Sequence, residues 1–332
     1  MLPLRIYYIV KPLVPRRVQL MLRRLQIRRM LPSQTHEWPI CQHAGKAPEG
    51  WSGWPEQKKF ALVLTHDVDT GRGQDRCKRV IRIEEELGLR SSVFFVPERY
   101  SVSSDLRHYL TSHGFEVGVH GLYHDGKLYS SEEVFQRRAV QINKYLKEWN
   151  CSGFRSPSMH YNLSWLRSLD IEYDASTSDT DPFEPQPNGM GTIFPFWVPG
   201  SGETEGYVEL PYTIPQDSTL FILLKEKGIR LWKKKLDWVA EHGGMALSVT
   251  HPDYMSFGGK SAFDTYPAEY YEEFLNYIKV KYEGQYWHAL PRDMADFWVK
   301  NTQNIERQAP KAHLEDETEC CQAYPIPLRS GI

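Results

Sequence analysis

From residue 60 onward, short apolar runs alternate with longer amphipathic stretches along the chain. Short runs rich in β-branched and aromatic residues predict strands, and apolar positions that recur every three or four residues predict helices. Strands are predicted over residues 60–65, 92–96, 115–119, 153–154, 171–175, 192–198, 207–210, 245–250 and 285–288. Helices are predicted over residues 76–87, 105–113, 131–149, 217–227, 229–242, 267–281 and 291–299. About seven strand–helix units with short connections predict parallel strands with helical crossovers, and a closed or distorted (β/α) barrel fits better than an open doubly wound sheet.

Two regions of different composition flank the predicted barrel, which spans residues 59–300. Residues 1–58 predict a basic N-terminal helical arm followed by an irregular wrap rich in Pro, Trp and Gly. Residues 301–332 are polar and predict a loose tail. We therefore expect one barrel domain with an extension at each end.

The N-terminal arm is strongly basic. Residues 1–30 contain eight arginines and lysines and no acidic residue, and apolar residues near helical spacing predict a helix that begins near Pro15. Such a helix can lie on an anionic membrane surface or dock on an acidic face of its own protein, and a solvated arm packed partly on the domain is an equally open alternative. The arm is thus compatible with a peripheral membrane contact.

Composition and charge narrow the functional classes. Among 332 residues, 40 Lys and Arg balance 42 Asp and Glu, and this balance argues against nucleic acid as a partner. The five cysteines lack CxxC spacing and predict neither a disulfide framework nor a zinc knuckle, so a reducing compartment is expected. Without an apolar run of about 20 residues or a signal-peptide pattern, the sequence predicts a cytoplasmic protein, with the inner face of the membrane as an alternative location.

Two carboxylates follow the first predicted strand. Asp67 and Asp69 come directly after the apolar run 60–65, and their two-residue spacing places both on one side of the chain. Two like charges held this close repel each other unless a cation lies between them. The alternative is a helix-capping Asp beside a turn Asp.

Two histidines follow the third predicted strand. His120 and His124 come directly after it, and Gly121 frees the backbone to bend both rings toward one point. Two imidazoles and one carboxylate, with positions left open for water, are typical of catalytic sites for divalent metals. The alternative is a pair of structural histidines whose hydrogen bonds are satisfied.

Later strand ends add polar groups at the rim where the chemistry of barrels collects. Arg155 follows the strand over 153–154 and could hold an aspartate ionised by bidentate hydrogen bonding, or could form an ordinary surface ion pair. The run 174–181 is rich in acceptors that suit sugar binding, although it could equally satisfy its own backbone. His251 ends the strand over 245–250 and is expected at the same rim.

These motifs, in this order, resemble the polysaccharide deacetylase family, also called carbohydrate esterase family four. The resemblance rests on Thr-His-Asp-Val-Asp over 65–69, His-x-x-x-His over 120–124, Arg-Ser-Pro over 155–157 and a late strand that ends in His251. It implies a distorted (β/α)₇ barrel and a metal-dependent amide or ester hydrolase. Such an enzyme would remove N-acetyl groups from an amino sugar or polysaccharide intermediate, and the basic arm resembles a branch found with surface-polysaccharide synthesis.

The resemblance also implies a role for each matching residue. Asp67 would be the general base, Arg155 would orient it, and His251 would be the general acid. The implied metal ligands are Asp69, His120 and His124. The ion would be a divalent metal, with Zn²⁺ expected first and Co²⁺ or Ni²⁺ as alternatives.

Two departures from the family pattern bear on these roles. Val68 separates Asp67 from Asp69, whereas the common first motif has adjacent aspartates. The usual Asp-rich motif with its Trp is not evident, so Asp174 and Asp217 are both candidates for the residue that tunes His251. The predicted substrate-binding residues are Asp174, Asp217, Tyr123 and Pro157.

Other interpretations remain open from the sequence. The same site could cleave another non-peptide C–N bond, in a formamide or a cyclic amide. A barrel of this kind could instead bind a glycan without turnover, or act as a membrane-surface scaffold through residues 1–30. The full set of Asp67, Asp69, His120, His124 and His251 argues against a degenerate site.

Overall fold

The computed structural model describes residues 14–34, 38–184, 186, 189–200, 205–258 and 261–301. The helices are α1 Arg16–Gln34, α2 Gly71–Glu86, α3 Ser104–Ser112, α4 Glu132–Trp149, α5 Leu163–Leu166, α6 Arg230–Glu241, α7 Glu269–Lys281 and α8 Pro291–Asn301. The strands are β1 Phe60–Val68, β2 Ser92–Phe95, β3 Glu116–His120, β4 Gly153–Arg155, β5 Tyr173–Asp174, β6 Phe196–Pro199, β7 Gly206–Glu209, β8 Met245–Thr250, β9 Met255–Ser256, β10 Tyr266–Pro267 and β11 Tyr286–His288. The predicted polar tail and the first part of the basic arm lie outside the described residues.

Seven parallel strands form the wall of a distorted barrel. β1 pairs with β2 on one side and with β8 on the other, and the order continues from β2 through β3, β4 and β5 to β7. A parallel bridge between Ile214, beyond β7, and Ser248 of β8 closes the circle. The barrel is distorted because β5 has only two residues and because β7 meets β8 through this isolated bridge. The predicted (β/α)₇ architecture is confirmed.

β1 is the strand that positions the site. All nine of its residues are buried, as expected for a parallel strand that is covered on both faces. Successive side chains point to opposite faces, so Thr65 and Asp67 point into the barrel whereas His66 points toward α2. β11 pairs with the start of β1, and β2 continues along the same edge from Thr65 onward.

α1 docks on the outside of the barrel. The helix begins directly after Pro15, as the sequence predicts, and its Leu20 and Ile27 are buried against the π-helical segment Ser218–Leu224. This is one of the arrangements that the sequence left open. Among the described residues, no helix combines the length and the apolar character needed to cross a bilayer.

Several elements differ from their predicted bounds, and the strand predicted over 192–198 begins only at Phe196. β1 runs to Val68 instead of residue 65, because its last four residues pair with β2. α2 begins at Gly71 and not at residue 76. The helix predicted over 217–227 is a π-helix over Ser218–Leu224.

Candidate metal and catalytic centre

Side chains from four strand ends meet inside one end of the barrel. The end of β1 contributes Asp67 and Asp69, β3 and the loop after it contribute His120 and His124, β4 contributes Arg155, and the residue after β8 is His251. All are at the C-terminal ends of parallel strands, where the active sites of barrels form. The fold therefore brings together all six residues that the sequence predicts to be catalytic or metal-binding.

Asp69, His120 and His124 offer three ligand atoms in a space that suits a single ion. These atoms lie within 4.8 Å of one another. Asp69 Oδ1 is 3.1 Å from His124 Nε2 and 3.4 Å from His120 Nε2. The oxygen is buried and has no hydrogen-bond partner of good geometry among the described residues, which is costly for a carboxylate unless a cation is present. Two imidazoles and one carboxylate thus fit a divalent ion such as Zn²⁺.

His120 is oriented for ligation by its second ring nitrogen. Nδ1 donates a hydrogen bond of 3.0 Å to the main-chain carbonyl of Arg155, which leaves the Nε2 lone pair facing Asp69. Burial alone would raise the pKa of Asp69, but the facing imidazoles of His124 and His120 lower this pKa well below its ordinary value. Asp69 is therefore ionised at neutral pH.

The loop that joins the two histidines requires a glycine. Gly121 has a φ of 61°, in the left-handed region that residues with a Cβ rarely adopt. A Cβ at this position would also collide with the ring of Pro157. The loop after β3 thus packs directly on the loop after β4, and this close approach sets the direction of His124.

Asp67 lies at the floor of the site and is fixed by Arg155. Arg155 Nη1 donates to Asp67 Oδ1 at 2.9 Å. The second oxygen, Asp67 Oδ2, faces His120 Nε2 at 3.8 Å and His251 Nε2 at 4.0 Å. Burial alone would raise the pKa of Asp67, but the charge of Arg155 and the neighbouring imidazoles of His120 and His251 lower it. The structure therefore presents an ionised carboxylate oxygen between the metal ligands and His251.

Arg155 is itself fully buried and held from several directions. Its Nη1 also donates to Thr65 Oγ1 at 2.8 Å, its Nε donates to the carbonyl of Ala175 at 2.8 Å, and its guanidinium lies 4.6 Å from the centre of the Phe94 ring. Such a guanidinium has a single available position, so the rotamer of Asp67 is fixed with it.

His251 is held by Asp217 at the opposite side of the site. Asp217 accepts hydrogen bonds from His251 Nδ1 and from the His251 backbone N–H, both at 2.7 Å, and from the Tyr266 hydroxyl at 2.9 Å. Burial alone would lower the pKa of His251, but Asp217 raises it to about 10. His251 is therefore a protonated imidazolium at neutral pH, and Asp217 is its partner of the two candidates.

Two of the predicted substrate-binding residues do not reach the solvent. Asp174 and Asp217 are both fully buried. Asp174 accepts hydrogen bonds from the N–H and hydroxyl of Ser176 at 3.0 and 2.7 Å and pairs across the sheet with Glu209. Both carboxylates are enclosed by protein, and a role for either in substrate binding stays a prediction.

The other two predicted substrate-binding residues lie at an opening beside the metal ligands. Tyr123 and Pro157 both line a small surface cavity that also borders His124. The Tyr123 side chain is 42% exposed, and the guanidinium of Arg138 lies 5.0 Å from the centre of its ring. An exposed aromatic ring in this position can stack on the apolar face of a sugar.

Asp253 is a supporting residue that sequence reasoning missed. It accepts hydrogen bonds from the backbone N–H of Asp69 at 2.9 Å and from the hydroxyl of Thr70. Gly73 leaves room for it, because a Cβ there would overlap the Asp253 carboxylate. Its position two residues after His251, at a strand end, was the available signal.

No protein-family model matches the sequence, and no curated protein matches it. Several solved structures resemble the chain in fold. A candidate polysaccharide deacetylase from Mycobacterium smegmatis has a TM-score of 0.61 and 18% identity, over 79% of this chain and 97% of that one. An allantoinase has a TM-score of 0.60 and 16% identity, over 74% and 92% of the two chains. A candidate polysaccharide deacetylase from Pseudomonas aeruginosa PAO1 has a TM-score of 0.58 and 17% identity, over 74% and 93%.

The two deacetylase-like structures and the allantoinase align over nearly their whole length. The resemblance stated from the sequence motifs is thereby confirmed at the level of the fold. This chain has the distorted barrel fold that is found in proteins described as polysaccharide deacetylases.

Proposed function

We propose that this protein is a metal-dependent hydrolase that removes N-acetyl groups from an amino sugar or a polysaccharide intermediate, as part of surface-polysaccharide synthesis. One observation carries the proposal: a triad of metal-ligating atoms lies directly beside an ionised carboxylate and an imidazolium that are 4.0 Å apart. Hydrolysis of an amide needs an activated water, a base and an acid for the leaving amine, and this site offers groups for all three.

Asp69, His120 and His124 would hold the ion. Zn²⁺ suits this donor set best, and Co²⁺ or Ni²⁺ are alternatives. When bound, such an ion lowers the pKa of a coordinated water and polarises a carbonyl oxygen. The carbonyl of Arg155 keeps His120 in the ligating tautomer, and Asp253 holds the backbone of Asp69.

Asp67 acts as the general base in this proposal. Its Oδ2 is free of Arg155 and can accept the proton of the attacking water, while Oδ1 stays bonded to the guanidinium. The lowered pKa keeps the carboxylate ionised and ready to accept that proton. Arg155 therefore acts by positioning Asp67 and by fixing its charge.

His251 acts as the general acid. An amine anion is a poor leaving group, so cleavage of the C–N bond requires a proton on the nitrogen. The Asp217 carboxylate keeps His251 protonated and orients Nε2 toward Asp67 Oδ2, so that acid and base lie side by side next to the metal ligands. Tyr123 and Pro157, at the neighbouring cavity, would contact the sugar ring.

Release of acetate tests the proposal. Protein with metal restored would be incubated with N-acetylhexosamine oligomers and with nucleotide-linked and lipid-linked acetamido sugars, and acetate would be measured beside formate. We expect Asp67→Asn to retain one ion per chain and to lose turnover by about 10²–10⁴-fold. The matched control is Asp170→Asn, a change at an exposed aspartate.

Near-normal turnover in Asp67→Asn would show that Asp67 is not the general base. Release of formate, or opening of a cyclic amide without release of acetate, would assign the site to another C–N bond. Binding of glycan without any released acid would favour a non-catalytic barrel.

A further inference from the structure

The helix α1 has two different faces. On the inner face, Leu20 and Ile27 are buried against the segment Ser218–Leu224, and Arg24 Nε donates to the carbonyl of Ile222 at 2.8 Å. These contacts fix the helix on the barrel. The direction of its opposite face is therefore also fixed.

The outer face of α1 exposes an apolar stripe. Val18, Met21, Leu22 and Leu25 follow the spacing i, i+3, i+4, i+7, so they share one face of the helix, and these residues are 39–56% exposed. Because an α-helix rotates by about 100° per residue, the stripe lies on the side of the helix opposite Leu20 and Ile27. The described residues have eight exposed large apolar side chains, and four of them are in this stripe. Such clustering marks a binding surface, whereas scattered exposed apolar residues do not.

Arginines flank the stripe. Arg17, Arg28 and Arg29 are exposed beside it, and the sequence has no acidic residue before Glu37. A helix with apolar side chains bordered by arginines and free of carboxylates matches an anionic bilayer, where the apolar side chains enter the acyl boundary and the cations meet the headgroups. This charge complementarity selects anionic lipid as the occupant.

The same helix reaches the rim of the site. The guanidinium of Arg16 lies 3.4 Å from the hydroxyl of Tyr254, and the Tyr254 ring lies 5.1 Å from the ring of His251. The segment on which α1 packs begins directly after Asp217, the partner of His251. A membrane that binds the outer face of α1 would therefore lie close to the opening of the site.

We infer that the outer face of α1 binds an anionic membrane surface and holds the site against it, so that the substrate is an N-acylated sugar carried on a lipid in that membrane. The second half of this inference rests on the proposed function, whereas the first half stands on α1 alone.

Sedimentation with vesicles tests the membrane surface. The full chain is expected to sediment with vesicles of phosphatidylglycerol and phosphatidylcholine in equal parts and to stay in solution with phosphatidylcholine alone. The double variant Leu22→Glu/Leu25→Glu should weaken binding by about tenfold or more, because two apolar contacts become repelled charges. Each of Arg17→Gln, Arg28→Gln and Arg29→Gln should weaken it about fivefold.

The matched control is Val140→Glu/Val280→Glu, which adds the same charges at exposed valines on α4 and α7. It should bind vesicles nearly as well as the unchanged chain. Equal sedimentation of both double variants would overturn the inference. So would a dimer that dissociates only in Leu22→Glu/Leu25→Glu while neither protein binds vesicles, because the stripe would then be an interface between copies.

The lipid-linked substrate is tested by the ratio of acetate released from a vesicle-borne sugar to acetate released from the same sugar in soluble form. We expect Leu22→Glu/Leu25→Glu to lower this ratio about tenfold. Turnover of the soluble sugar without vesicle binding would overturn this inference and leave the proposed function in place. Vesicle binding without any hydrolysis would support membrane binding by α1 and would contradict the proposed function.

Discussion

Two buried clusters of histidine and carboxylate share the strand β1, and they differ in how their polar atoms are satisfied. On the outer face, His66 Nε2 lies 2.8 Å from Glu84 Oε1, and His66 Nδ1 lies 2.7 Å from Thr250 Oγ1. Glu84 also accepts hydrogen bonds from the hydroxyls of Ser91 and Tyr271. Both ring nitrogens of His66 and both carboxylate oxygens of Glu84 therefore have short, directed hydrogen-bond partners.

The cluster on the inner face contains polar atoms that lack hydrogen-bond partners among the described residues. Asp69 Oδ1 and Arg155 Nη2 are buried without a hydrogen-bond partner among the described residues. The contacts of Asp67 Oδ2 with His120 and His251 are 3.8 and 4.0 Å long, which is beyond hydrogen-bond distance. Because buried polar groups are normally satisfied, unsatisfied ones beside loosely spaced imidazoles indicate room for an ion and a reacting group. A structural histidine is thus distinguished from a functional one by whether the polar atoms of its cluster all have hydrogen-bond partners, and not by residue type.

The largest expected effect is removal of a metal ligand from the inner cluster. His124→Ala should abolish stoichiometric metal binding and lower turnover by about 10⁴-fold or more, because both the activated water and the polarised carbonyl are lost. His66→Gln, the matching change on the outer face, should retain one ion per folded chain. Metal analysis after dialysis checks both variants, and loss of metal in His66→Gln alone would reverse the two assignments.

Removal of the outer carboxylate should act on stability instead. Glu84→Ala deprives His66, Ser91 and Tyr271 of their partner in a fully buried position, and we expect it to lower the free energy of unfolding by about 3–5 kcal/mol. Chemical denaturation measures this change. Turnover per folded chain should stay near that of the unchanged protein, and a selective loss of turnover would place Glu84 in the function of the site.

Asp217→Asn should move the pH dependence of catalysis. Asp217 raises the pKa of His251 to about 10, and a general acid is active only while protonated, so activity falls as the pH rises through that pKa. Without the Asp217 charge, the pKa drops and the alkaline limb of kcat/KM should shift to lower pH by at least about one unit. A profile of kcat/KM against pH checks this, and an unmoved alkaline limb would mean that His251 is not the acid.

The smallest expected effect comes from the backbone of the inner cluster. Gly121→Ala introduces a Cβ at a positive φ and against Pro157, which should cost about 1–3 kcal/mol of stability. We also expect metal affinity to fall by about tenfold, because His124 would be misdirected. Metal titration with a competing chelator measures this, and unchanged affinity would show that the loop has no part in ligand placement. Gly88→Ala, which also replaces a glycine of positive φ but meets no neighbour, is the control.

Much of the barrel could be predicted because its strands are buried and apolar. β8 occupies Met245–Thr250 as predicted, since its apolar run is bounded by Gly244 and His251. The end of β1 could not be predicted by the same rule. Thr65, His66 and Asp67 are polar, and this part of the strand is extended because it pairs with β2 and, as far as His66, with β8.

The sequence predicts which strand ends contribute residues to the site, but it does not predict which of these residues hydrogen-bond to each other. Asp174 and Asp217 look equivalent in the sequence, because each sits in a polar run after an apolar one. Only the closure of the barrel places Asp217 against His251, whereas Asp174 bonds locally to Ser176, two residues further along the chain. Asp253 was missed for the same reason, since its contact with Asp69 spans strands that are far apart in the chain.

Anomalous X-ray diffraction at the zinc absorption edge, from crystals grown with Zn²⁺, shows directly whether the inner cluster holds a metal ion. We expect one peak within about 2.0–2.2 Å of Asp69, His120 and His124 ligand atoms. A peak located elsewhere, such as between Cys41 and His43, with none at these three residues, would contradict the account.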